Sequence, residues 1–91
     1  MALSKAKFKA REVGGGVVHG NAVVAGAAAN ANIAVAGLAA NADVYSVLDY
    51  AAGANPVDRT AEVAITAAGV IQLSTTNTTG HALVVSFEQP A

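Results

Sequence analysis

Apolar and polar positions alternate with a period of two through the last third of the chain. Ala61, Val63 and Ile65 alternate with Thr60, Glu62, Ala64 and Thr66, the pattern of a half-buried strand. Ala67, Ala68 and Gly69 follow, and glycine readily takes the positive φ of a tight hairpin turn. Ile71 and Leu73 then alternate with Gln72 and Ser74, residues 75–80 form a polar turn, and Leu83, Val85 and Phe87 alternate with Ala82, Val84, Ser86 and Glu88. The pattern predicts three antiparallel strands in a meander with one buried face.

Upstream the signals are shorter. Ala6, Phe8 and Ala10 alternate with Lys5, Lys7, Lys9 and Arg11, a strand period with one strongly basic face. The triplet Gly14-Gly15-Gly16 makes a joint after this arm. Two valine pairs surround His19-Gly20-Asn21, which predicts either two short strands or one strand bent by a glycine bulge over 17–25. Residues 26–31 read as an extended loop, because Asn30 and Asn32 favour turns over helix. Residues 32–38 read as a strand with Ile33 and Val35 on one face and the small Ala34 and Ala36 on the other. Val44, Tyr45, Val47, Leu48 and Tyr50 fill residues 43–50 with little strict alternation, as expected of a central strand covered on both faces. Gly53, Asn55 and Pro56 mark a loop over 51–58, and Pro90 ends the last strand. Six or seven short strands with glycine-rich turns predict an all-β fold, a small antiparallel β-sandwich or β-barrel with an extended N-terminal arm. The expected division is a basic arm and glycine joint at 1–16 and a β domain at 17–91.

Composition changes this picture in one respect. The chain has 91 residues, of which 54% are hydrophobic, but alanine supplies many of these, with only two Phe, two Tyr and no Trp. Burial stabilises by roughly 25 cal/mol per Å² of apolar area, so an alanine-rich core contributes little. There is no cysteine to staple it. Small domains without staples commonly depend on oligomerisation or a partner, so a homo-oligomer is expected, with a trimer as one form.

The net charge of −1 is unevenly placed. Lys5, Lys7, Lys9 and Arg11 stand together, whereas the rest sets Arg59 against Glu12, Asp43, Asp49, Asp58, Glu62 and Glu88. A basic arm thus precedes a mildly acidic body. With Phe8 the one aromatic in the arm, nucleic acid is not the expected partner. An acidic protein surface fits the arm equally well. Residues 13–42 carry no charge, but six glycines and four asparagines interrupt them. They read neither as a membrane span nor as a secretory signal.

Candidate chemistry is sparse. His19 and His81 are the two histidines and have no ligand spacing for zinc. Asp49, Asp58 and Glu62 are the carboxylates to weigh for acid–base work. The simpler expectation makes Asp58 a loop residue, Glu62 a solvent-facing strand residue and His81 a solvent-facing residue after a turn glycine. The glycines at 14–16 lack the Lys-Ser or Lys-Thr of a phosphate loop. Asn77-Thr78-Thr79 matches a glycosylation pattern by composition alone. No catalytic, cofactor or metal site is expected, and no enzyme.

Asp58-Arg59-Thr60-Ala61-Glu62, the run from Ile65 through Thr76, Thr78-Thr79-Gly80 and the apolar strand from Ala82 to Phe87 carry a resemblance. Across about the C-terminal half, this sequence resembles small tailed-phage virion proteins of the head decoration, or capsid cement, family. The resemblance implies a non-enzymatic β domain used in many copies on the outer surface of a phage head, with the major capsid protein as partner. It brings no catalytic residues. Position and residue type, independently of the resemblance, nominate Lys7, Phe8, Lys9 and Arg11 for capsid contact and Tyr45 and Tyr50 for subunit contact. The rival expectations are a phage tail or fibre module, or a cell-surface binding or self-assembling β domain. A sugar-binding module would need exposed aromatics, and the strand position of both tyrosines argues against that exposure.

Overall fold

A computed structural model describes residues 16–91; the basic arm of 5–11 and most of the glycine joint lie outside the described residues. Seven strands form: β1 (Val17–Ala25), β2 (Ile33–Ala34), β3 (Asp43–Tyr50), β4 (Val57–Asp58), β5 (Val63–Ala67), β6 (Val70–Leu73) and β7 (Ala82–Pro90), with a 3-10 turn at Thr60–Glu62. They make two antiparallel sheets, ordered β1-β7-β3-β4 and β2-β6-β5, packed together as a small all-β sandwich.

β7 is the axis of the larger sheet. Its even partners across the register are fixed: Leu83 lies between Val24 and Asp49, Val85 between Ala22 and Val47, and Phe87 between Gly20 and Val44. Leu83, Val85 and Phe87 are buried, and Ile33, Val35, Leu38, Ile71 and Leu73 meet them from the β2-β6 side. The period-two pattern read from 82–88 therefore holds for which side chains face inward.

The meander does not hold. β5 and β6 pair as a hairpin through Gly69, at φ 76°, but β7 leaves that sheet and pairs with β1 and β3. Eight residues separate Leu73 from Ala82, long enough to cross between sheets rather than turn within one. The first meander strand also starts later than its alternation suggests, because Thr60–Glu62 is a 3-10 turn. Two further readings are corrected. Residues 17–25 are one strand in unbroken register with β7, without a bulge. Gly20 instead leaves room for the Phe87 ring, whose Cζ lies 2.3 Å from where a Cβ would sit. In 32–38 the in-out alternation is right, with Ile33 and Val35 buried, but only Ile33–Ala34 pair as strand. The chain then turns so that Val35 donates to Gly69 O at 2.8 Å and Gly69 donates to Leu38 O at 2.7 Å. Near the end of β7, the Gln89 side chain accepts from Ala39 N and donates to Gly37 O.

The segment 26–31 is a loop and not a helix, but it is not extended throughout: Ala31 N donates to Ala28 O at 3.0 Å, closing a turn in which Asn30 takes φ 62°. Beside it lies a close contact with the crossing segment. Thr78 is fully buried. Its hydroxyl accepts from Ala27 N at 3.0 Å and donates to Ala27 O at 3.1 Å, while its own N–H reaches Ala27 O at 2.8 Å. A Cβ on Gly26 would fall 2.1 Å from Thr78 O and 2.5 Å from its hydroxyl oxygen. Gly26→Ala is expected to cost about 2–3 kcal/mol, the upper range for overpacking, because backbone must move. Chemical denaturation will show this as a lower midpoint at unchanged slope; a loss below about 0.5 kcal/mol would refute the tight clamp.

Candidate functional site

Two places hold the polar side chains: a buried cluster at one end of the sandwich and the outer face of the larger sheet. The cluster starts at β3. Val47 and Asp49 are two residues apart and so share the inward face, and both are buried, Asp49 to 2% exposure. A carboxylate in that position must be paired or hydrogen-bonded. Its Oδ2 accepts from Arg59 Nε at 3.1 Å, and its Oδ1 lies 2.7 Å from His81 Nδ1. His81 is thus half-buried against Asp49 rather than solvent-facing, which corrects the sequence reading. Arg59 continues to Glu62 Oε2 at 3.9 Å.

Glu62 is in turn held by the 74–76 segment. Its Oε1 accepts from Thr76 N at 2.9 Å and Thr75 N at 3.3 Å, and its Oε2 accepts from the Thr76 hydroxyl at 2.7 Å. Asp58 likewise accepts from the Thr60 N–H and hydroxyl. Thr60 Oγ1 also accepts from Val47 N at 2.9 Å, and Arg59 N donates to Val47 O at 2.8 Å. The run Asp58-Arg59-Thr60-Ala61-Glu62 is therefore a connector. It seals the edge of β3 beyond β4, pairs the buried carboxylate and pins the crossing segment. Asp58 and Glu62 are not a pair aimed at a common point, and among the described residues no group of three His, Cys, Asp or Glu could hold a metal ion. Asp49 with His81 has the form of an oriented histidine, with the second carboxylate oxygen on Arg59 Nε; among the described residues no serine or threonine hydroxyl bonds to that ring.

The Thr76 hydroxyl holds the Glu62 carboxyl below its ordinary value of 4.5; burial opposes this and the Thr76 and Thr75 N–H groups add to the lowering. The Thr60 hydroxyl, then its N–H, lowers Asp58 in the same way. A carboxylate depressed in the folded state contributes stability that is present above its unfolded value and lost as pH falls through the folded one. Thermal stability should thus decline on acidification below the ordinary carboxylate range. Glu62→Gln should melt lower than the parent at about pH 7 and lose less between about pH 5 and about pH 3; parallel pH profiles would rule out this role. Arg59→Ala leaves Asp49 buried with one partner and is expected to destabilise by about 3 kcal/mol, more than Asp49→Asn, as equilibrium unfolding of the two variants will show.

The outer face of the larger sheet is graded. Reading across β1, β7 and β3, one row is Ala25, Ala82 and Tyr50, and the next is Val23, Val84 and Leu48. Asn21, Ser86 and Ser46 form a polar row, with the Ser86 hydroxyl donating to Asn21 Oδ1 at 2.7 Å. His19, Glu88 and Asp43 form a charged row at the far end. Val23 is 74% exposed. Tyr50 is 41% exposed at the apolar end, and Tyr45, at the register shift between Val44 and Ser46, is 48% exposed. Both tyrosines thus reach solvent despite their place on a central strand, and the bulge at Tyr45 is what periodicity failed to anticipate. The nominated arm residues Lys7, Phe8, Lys9 and Arg11 lie outside the described residues.

Among the described residues no helix is long and apolar enough to cross a membrane. Compared with protein-family models, with curated proteins and with solved structures, the chain matches none.

Proposed function

We propose that this chain is a non-enzymatic virion structural protein of a tailed phage, a head decoration or cement protein that binds the outer capsid lattice in many copies. The observation that carries this reading is the graded outer face. It is a continuous three-strand surface that grades from small and apolar side chains through a polar row to His19, Glu88 and Asp43. Such a face suits contact with another protein surface. The resemblance of the C-terminal half to head decoration proteins names the surface: the major capsid protein, with the chain on the exterior of the head.

In this reading each copy makes weak contacts, and repetition over the lattice multiplies them. Lys7, Lys9 and Arg11 supply the cationic contacts to the shell, with Phe8 beside them, and Tyr45 and Tyr50 serve contacts between subunits. The body carries the opposite sign to the arm. Apart from Arg59, which is engaged with Asp49 and Glu62, its formal charges outside the arm are carboxylates.

One observation favours a second reading, a tail, fibre or cell-surface sugar-binding module. Tyr45 and Tyr50 are about half exposed, which meets the requirement for aromatic platforms that their strand position had argued against.

Cryo-EM of the phage particle encoding this chain tests both. Regular density on the outer head lattice is expected, and particles carrying Lys7→Ala, Lys9→Ala and Arg11→Ala together should lose most of that occupancy. Density confined to a tail or spike would replace the first reading by the second, and absence from the particle would remove both virion readings.

A further inference from the structure

The sandwich has four sheet edges, and three of them are blunted. β4 and β2 are two residues long. Beyond β4, the Val47 N–H and C=O are taken by Thr60 and Arg59. β5 has five residues and an irregular register between Ile65 and Ala67. The fourth edge is different. β1 runs nine residues in unbroken register with β7, and no strand pairs with its outer side among the described residues. At roughly 3.3 Å per residue it presents about 30 Å of ladder. It also carries none of the usual guards against strand addition, which are lysine, proline, a bulge or an inward charge. Its sequence is Val-Val-His-Gly-Asn-Ala-Val-Val-Ala.

We propose that β1 pairs antiparallel with β1 of a second copy of this chain, joining the two larger sheets into one eight-stranded sheet about a two-fold axis. This inference does not depend on the capsid reading. Three features select a second copy as the occupant. First, the strand bears no formal charge with histidine neutral, so a copy of itself brings no like-charge repulsion, which direct cross-strand neighbours would feel. Second, a two-fold axis perpendicular to the sheet keeps inward residues beside inward residues, so the register is centred on a residue rather than between two. Centring on Asn21 uses all nine positions. It sets Val18 beside the partner's Val24 and Gly20 beside the partner's Ala22 on the inner face. On the outer face it sets Val23 beside the partner's His19 and Asn21 beside the partner's Asn21. Third, that register covers the exposed valines of this strand. Val18 is 45% exposed although it points to the inner side, and Val23 is 74% exposed. The contact closes on itself, because each copy spends its one open edge.

The full-length chain tests this directly. It should sediment as a dimer at tens of micromolar. Asn21→Lys puts two ammonium groups side by side at the axis and should sediment as a monomer, and so should Asn21→Asp. An equimolar mixture of the two variants should return to a dimer of mixed composition, which a variant that had merely misfolded would not. Asn21→Cys adds the chain's one cysteine. Directly opposed antiparallel residues have Cα atoms about 4.5–5.5 Å apart, within disulfide reach, so mild oxidation should give a covalent dimer, whereas Val57→Cys on the opposite edge should not. A monomeric parent chain, an Asn21→Lys variant that stays dimeric, or equal crosslinking at both positions would overturn the proposal. A monomeric parent whose β1 amides are nonetheless protected from hydrogen exchange would assign the edge to residues 5–11 of the same chain.

Discussion

The sandwich depends on how the chain gets from its hairpin to β7. β6 ends in the smaller sheet and β7 begins in the larger one, so residues 74–81 must cross the gap while their backbone groups stay bonded. The buried Thr78 resolves this with its own hydroxyl. It stands against Ala27, accepting its N–H and donating to its carbonyl, and the adjoining backbone adds Thr78 N to Ala27 O and Gly26 N to His81 O. The crossing segment is thereby fastened where β1 ends and β7 begins, which fixes the register of the nine β1–β7 pairs. The missing side chain at Gly26 is a condition of that contact. With so few large residues in the core, geometry of this kind replaces part of what bulk burial supplies in a larger domain.

A second fastening lies at the same end. Asp49, Arg59, His81 and Glu62 join β3, the 3-10 turn and the start of β7. The Asp49 carboxylate is buried, so removing a single partner is more costly than any net gain from the pair. This cluster does more to specify where the connectors lie than to add stability. It also disposes of charge: with Arg59 engaged internally, the exposed face keeps Asp43 and Glu88 with His19 as the one basic residue in register. An acidic body beside a basic arm is a consequence of this internal accounting as well as of composition.

What was legible in the sequence follows from what local pattern can encode. Alternation reports which side chains point inward, and it was right at Ile33 and Val35, at Ile71 and Leu73, and from Leu83 to Phe87. Turn chemistry was right at Gly69 and Asn30. Pattern does not report which strand lies alongside, so three successive strands looked like a meander although the third belongs to the other sheet. Buried polar residues were the other blind spot. Thr78 sits in a Ser/Thr/Asn-rich run indistinguishable from an exposed turn, and its burial depends on Gly26, about fifty residues away. Asp49 did leave a signal. It lies in a strand read as covered on both faces, where a carboxylate demands a cation. Arg59 was the one arginine available outside the arm.

The guarding of the edges ties these features to assembly. The same connector that pairs Asp49 also occupies the ladder groups of Val47, so the far side of the larger sheet is closed by the residues that organise its interior. Among the described residues no such device appears on β1. Its residues are small or β-branched and uncharged, a composition that favours addition of another strand rather than discouraging it. An edge of that kind is a template for pairing, since its outer backbone groups are satisfied as well by another strand as by water and pairing also covers valine. Within the single chain β1 pairs with β7, and its Ala22 and Val24 pack against the core. In the proposed pairing, β1 becomes an interior strand of an eight-stranded sheet, and the edges left to water are the short or irregular ones.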